Sequence, residues 1–139
     1  MSRKIYGSCL CGTVKYEIEN NFEIFYLCHC TQCQKISGSN HVSNLFGKPN
    51  SLRWLTGEAK IKRYEYPNRG FTNAFCTDCG GGVPFLTQSG KAVVVRAGTL
   101  GGQPQFFSSS KIFHSERPDG NEKAEASKSY EKFPITNKE

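Results

Sequence analysis

The sequence predicts a mainly β fold of short antiparallel strands with irregular connections. Fourteen Gly and six Pro in 139 residues break the chain into short stretches, and such punctuation favours short strands over long helices. Several stretches alternate apolar and polar residues with a period of two, as a half-buried strand does. Ten Phe, six Tyr and one Trp supply the bulk, and packing of these rings in the core is the expectation in a chain poor in Leu. At this length one domain, 1–139, is expected, with a core of its own.

The elements follow in order. From Thr13 the chain alternates, with Val14, Tyr16 and Ile18 on one face and Lys15, Glu17 and Glu19 on the other. Asn20-Asn21 turns it, and residues 22–27 form a second strand that runs into a cysteine cluster. Residues 35–41 are polar, contain glycine and read as a loop; residues 42–46 are a third strand, closed by Gly47-Lys48-Pro49-Asn50. Residues 52–55 make a short strand before Thr56-Gly57. Residues 59–66 alternate again, with Lys60, Lys62 and Tyr64 opposite Ile61 and Arg63. A strand over 69–76 enters a Cys-x-x-Cys turn, and 83–86 leaves it. The Val-rich stretch 92–97 is expected in the middle of a sheet, and 105–114 supplies the last strand. Residues 115–132 are polar and mixed in charge, a loop or short surface helix, with Asn121 the expected N-cap of 122–126.

The net charge is +6, and all of the excess lies in the first 110 residues, with twelve Lys and Arg against six Asp and Glu. Such an excess attracts anions, but the basic residues form no run and no arginine-rich arm, so nucleic acid is not the expected partner. Ser2-Arg3-Lys4 leads into no apolar segment, and nothing approaches the roughly 20 apolar residues of a membrane span. The expectation is a cytoplasmic protein of a reducing compartment, and its odd, clustered cysteines do not suit a disulfide framework.

The seven cysteines fall in three groups: Cys9-x-Cys11-Gly12, Cys28-His29-Cys30-x-x-Cys33, and Cys76-x-x-Cys79-Gly80. Structural zinc takes four ligands, whereas catalytic zinc keeps three protein ligands and an open position; seven divides into four and three. Cys76-x-x-Cys79 is a knuckle turn in which Gly80 can take the positive φ required. Residues two apart on an extended segment share a side, so Cys9 and Cys11 can meet the same ion. Pairing the two outer groups gives a closed four-cysteine site that ties distant parts of the chain together. Cys28, Cys30 and Cys33 can hold three corners of a second tetrahedron. A closed alternative would complete that tetrahedron with His41 or His114, while His29 lies between two ligands and is expected to point away. Three thiolates on a zinc dication leave a charge of −1, a poor source of hydroxide but a suitable host for a soft thiol, which loses its proton there.

Taken together, Gly7-x-Cys9-x-Cys11-Gly12, Cys28-His29-Cys30-x-x-Cys33-Gln34 with Ser37-Gly38-Ser39, Phe75-Cys76-x-x-Cys79-Gly80 and Arg96-Ala97-Gly98-Thr99-Leu100 resemble the glutathione-dependent formaldehyde-activating enzyme family, which includes centromere protein V. The likeness runs from about Gly7 to Pro134. It implies a β-tent fold stapled by two zinc ions, with Cys9, Cys11, Cys76 and Cys79 as structural ligands and Cys28, Cys30 and Cys33 around the catalytic ion. It implies a carbon–sulfur lyase that interconverts glutathione plus formaldehyde with their adduct, the thiol occupying the open zinc position. The chain departs from the family pattern at Gly101-Gly102, where acidic residues are common, and at Lys111, where histidine is usual. A non-catalytic zinc module that binds a protein or a nucleic acid is the competing expectation.

Overall fold

The computed structural model describes residues 3–134. Ten strands, β1 (Lys4–Ser8), β2 (Lys15–Glu19), β3 (Phe22–Cys28), β4 (Val42–Gly47), β5 (Leu52–Thr56), β6 (Ile61–Glu65), β7 (Thr72–Cys76), β8 (Phe85–Leu86), β9 (Val93–Arg96) and β10 (Phe106–Ile112), are joined by short turns and two short helices, α1 (Thr31–Ser37) and α2 (Asn121–Glu125). The mainly β expectation holds. The strands form three sheets, in the orders β1-β2-β5, β10-β3-β4-β9-β8 and β6-β7. All pairings are antiparallel except β10 with β3, which run parallel. A parallel partner needs a long connection, and here nearly eighty residues of chain separate the two strands.

Alternation in β2 does what the sequence predicts on one side: Val14, Tyr16 and Ile18 have no solvent exposure. Tyr16 and Ile18 join Ile5, Phe22, Leu45, Val93 and Val95 in a core between the first two sheets, closed by Trp54 edge-on to Tyr16. Val14 packs instead beside Cys9, Ala74, Cys76 and Val83. The opposite face of β2 departs from the pattern, since Glu17 is also buried, between Lys4 at 3.5 Å and Arg53 at 3.2 Å on the flanking strands. Arg53, by hydrogen bond and charge, holds the Glu17 carboxyl below its usual range. The Val-rich strand β9 lies between β4 and β8 as expected.

Three local expectations change. Residues 31–37 are helical, so the loop begins only at Gly38. That glycine takes φ 72° and ends α1 with its N–H on the Gln34 carbonyl. Asn121 is the first residue of α2 rather than its cap; Gly120 precedes it at φ 85°, and the buried Asn121 Oδ1 has no hydrogen-bond partner. Many aromatic rings lie outside the core: Tyr16, Phe22 and Phe85 are buried, whereas Tyr6, Tyr64, Tyr66, Phe106, Phe107, Phe113, Tyr130 and Phe133 are exposed. None of the described helices is long and apolar enough to cross a membrane.

Candidate metal centres

The fold brings the outer cysteine groups together. Cys9 and Cys11 sit on the turn between β1 and β2, Cys76 ends β7, and Cys79 lies in the turn beyond it. Their four sulfurs lie within 4.8 Å of one another. Ligands about 2.3 Å from a central ion define a tetrahedron with edges of about 3.8 Å. The Cys9–Cys11 and Cys11–Cys76 sulfur separations are 3.7 and 3.9 Å, so the donor set fits a zinc ion. Backbone geometry prepares it. Gly12 and Gly80 take φ 80° and 77°, and Gly80 N–H bonds the Cys76 carbonyl at 2.7 Å. Amides also point at sulfur: Val14 N–H donates to Cys9 Sγ at 3.3 Å and Gly81 N–H to Cys79 Sγ at 3.4 Å. Hydrogen bonds to the charged form favour thiolate, and they lower Cys79, through its Cys11 and Gly81 contacts, to about 6.

The middle group is built differently. Cys28 closes β3, Cys30 caps α1 with its Sγ accepting from Cys33 N–H at 3.3 Å, and Cys33 lies in the first turn of the helix. Their sulfurs also lie within 4.8 Å of one another, and no histidine nitrogen among the described residues joins them. The three histidines instead pack against each other: the His29 ring lies 5.0 Å from that of His41 and 4.9 Å from that of His114. His29 is turned toward its own strand, with Nδ1 3.1 Å from the Leu27 carbonyl oxygen. A closed site completed by a histidine therefore has no support in this geometry.

The two groups differ most in what lies beside them. Cys28, Cys30 and Cys33 form part of the wall of a cavity of about 670 Å3, within the size of small-molecule sites. Phe71, Phe85, Val94 and Ile112 give it apolar walls, and Arg96, Asn44, Thr31 and Glu116 supply polar groups. Glu116 is anchored, its Oε1 accepting from Thr31 N–H at 3.0 Å and Thr31 Oγ1–H at 3.1 Å. Arg96 donates to Asn44 Oδ1 and, at 2.9 Å, to Asn73 Oδ1, and lies over the Phe85 ring. Burial pulls its guanidinium below its ordinary value, while Cys33 and Cys28 act in the opposite direction. Sequence reasoning missed this fixed cation as a site residue. The signal was there in a charged residue closing the buried run Val93–Val95. Burial pushes the Cys33 thiol strongly up, with Cys30 and Cys28 adding to it.

A family model for glutathione-dependent formaldehyde-activating enzyme matches residues 4–116. The chain belongs to that family. The match holds all seven cysteines and Arg96, and ends at Glu116, short of the Pro134 expected from the motifs. A crystal structure of a Rhodobacter sphaeroides protein is similar in fold, with a TM-score of 0.59 and 20% identity over 76% of this chain and 99% of that one. No curated protein matches the sequence. Family membership supports an enzyme of the glutathione-dependent formaldehyde-activating type, with glutathione as its thiol partner.

Proposed function

We propose that the chain is a zinc-dependent carbon–sulfur lyase that makes and breaks the bond between a small thiol such as glutathione and the carbon of an aldehyde. The observation that carries this reading is the pairing of a three-sulfur group, Cys28, Cys30 and Cys33, with a cavity of about 670 Å3. The four-sulfur group Cys9, Cys11, Cys76 and Cys79 takes the structural role, and its donor count leaves no position for a substrate.

A zinc ion held by Cys28, Cys30 and Cys33 would supply a Lewis-acidic position that favours the thiolate form of a substrate thiol. The chain does the rest. Cys30 and Cys33 are fixed relative to each other by the first turn of α1, and Cys28 by the β3 ladder with β4. Phe71, Phe85, Val94 and Ile112 give the space beside the sulfurs an apolar lining. In the forward direction the thiol releases its proton, a sulfur electron pair forms the C–S bond, and the carbonyl π pair moves to oxygen, which takes up a proton. The reverse sequence returns thiol and aldehyde. Arg96 puts a positive charge on the cavity wall, where it stabilises negative charge developing on that oxygen. Its bonds to Asn44 and Asn73 hold it in place beforehand, so little reorganisation is needed during the reaction.

The test is to count zinc per chain and then titrate with glutathione while following the metal's ligand shell by X-ray absorption. Two ions, with a new sulfur entering one shell, is the expected result. Two saturated shells with no response to any thiol would sink the reading.

A further inference from the structure

A second depression adjoins the cysteine cavity and belongs to neither metal group. It measures about 560 Å3 and lies between α1 and the β6–β7 hairpin. Lys62 and Tyr64 are two apart on β6 and share a face; Tyr66 follows at the hairpin turn. Lys35 faces them from α1, and Arg69 and Phe71 line both this groove and the cysteine cavity, making the two continuous.

Its chemistry is one-sided. Lys35, Lys62 and Arg69 are exposed, none forms an ion pair among the described residues, and no acidic residue lines the groove. The neighbouring cations Lys60 and Arg63 are by contrast neutralised by Asp78 at 3.5 Å and Glu65 at 2.8 Å. Tyr64 and Tyr66 each keep 40% of their surface exposed, with rings 6.4 Å apart and edge-on. Arg69 lies over the Tyr66 ring at 5.2 Å. Part-exposed tyrosine rings beside cations that have no carboxylate partner suit a planar, apolar body that carries an anionic group. A nucleic-acid strand would need a longer basic track than three side chains around one depression.

Volume points to which reactant uses it. A tripeptide thiol is accommodated by a cavity of the size beside Cys28, Cys30 and Cys33, and formaldehyde, with one carbon, needs no further room. The adjoining groove adds room beyond what these two reactants require. We propose that it holds the body of the carbonyl partner, and that the aldehyde this chain handles best carries an aromatic ring and a carboxylate. This rests on the thiol–aldehyde reading above and extends it to the electrophile. The bond made and the proton balance are unchanged; only the group attached to the reacting carbon differs.

Binding to the groove and choice of substrate are tested separately. The zinc-loaded chain is titrated, by amide NMR, with 4-methylbenzoate and its neutral isostere 4-methylbenzamide, neither of which can condense with lysine. Binding of the anion at least about tenfold tighter, with shifts at Tyr64, Tyr66 and Phe71 and a preference that shrinks as salt is raised, is expected. The double variant Lys35→Glu/Lys62→Glu should erase the preference, and Tyr66→Leu should weaken both ligands. Equal affinities, or a preference that survives the charge reversal, would overturn the groove whether or not glutathione enters a zinc shell. With glutathione present, kcat/KM for 4-formylbenzoate should exceed that for benzaldehyde about tenfold; equal values would overturn the substrate assignment even if the anion binds.

Discussion

At the scale of single residues, Tyr16 and Arg96 are the most informative. Tyr16 is fully buried and shares a 2.6 Å hydrogen bond with Thr99. Burial pushes its phenol up to about 12, with the Thr99 bond working the other way. An unfolded tyrosine titrates near about 10. The fold therefore favours the neutral phenol: this contribution is intact below about pH 10 and is lost as pH rises through about 12. The loss amounts to about 2–3 kcal/mol at most, and Tyr16→Phe should flatten urea-measured stability across that window. Gly7 explains how the ring fits. A Cβ there would lie 2.3 Å from Tyr16 Oη and 2.4 Å from its ring, so Gly7→Ala should lower stability by about 1–3 kcal/mol. Arg96 is read through turnover instead. Arg96→Met keeps the aliphatic stem but removes the cation, and kcat for addition of the thiol to the aldehyde should fall by about a hundredfold while thiol binding is largely kept. Lysine should not rescue it, because a point charge does not reproduce a guanidinium that spans the Asn44 and Asn73 oxygens.

At the scale of elements, α1 decides the shape of the three-cysteine group, and it was hidden from sequence reasoning. Thr-Gln-Cys-Gln-Lys-Ile-Ser has no apolar period, and its cap is Cys30, a residue type outside the usual N-cap set. The tertiary context that makes it a helix lies elsewhere: Gln34 Nε2 donates to the carbonyls of His29 and Glu116 at 2.7 and 2.9 Å, and Glu116 accepts from Thr31. Strand β1 was equally silent, since Lys-Ile-Tyr-Gly-Ser is short and holds a glycine; its partner β2 supplies the order. By contrast β2, β3, β6 and β9 were legible because alternation or an apolar run marks them, and β4 and β7 because the Gly47-Lys48-Pro49-Asn50 turn and the Cys-x-x-Cys turn bound them. Gly38 gives a clean test of α1. It sits at φ 72°, and a Cβ added there would have nothing within 4 Å, so Gly38→Ala adds backbone strain without a clash. A loss of about 1–2 kcal/mol is expected, together with faster amide exchange in α1. Gly38→Asn should recover part of it, since asparagine tolerates this conformation.

At the scale of the molecule, the cysteine grouping was readable because ligand spacing is local even when the site is not. Cys76-x-x-Cys79-Gly80 and Cys9-x-Cys11-Gly12 have the turn chemistry and spacing of metal ligands, and the fold brings their sulfurs together across 65 positions into a group that could hold one ion. The surface was unreadable for the opposite reason: whether an aromatic ring is core or groove depends on which sheets cover it. The proposed division of labour between the groups yields a paired prediction. Cys79→Ser removes a long-range crosslink and should lower stability by about 2–5 kcal/mol. Cys33→Ser should leave the far-ultraviolet dichroism and most of the stability in place while abolishing the glutathione-induced change in the zinc shell. Equal unfolding by both would refute the division.

The parallel pairing of β10 with β3 bears on the order of events during synthesis. The four-sulfur group needs nothing beyond Gly81 to be complete, whereas β3 waits for a neighbour that begins 84 positions after it, Phe106 beside Phe22. A nascent chain released or stalled before that point carries its staple but leaves one edge of β3 bare, with Phe25 deprived of the Phe106 ring 5.1 Å away. A bare strand edge templates pairing with other chains. Strand β10 thus covers the edge of β3, and a stop codon just ahead of it would give a chain whose four-sulfur group can still assemble but which aggregates rather than being merely inactive.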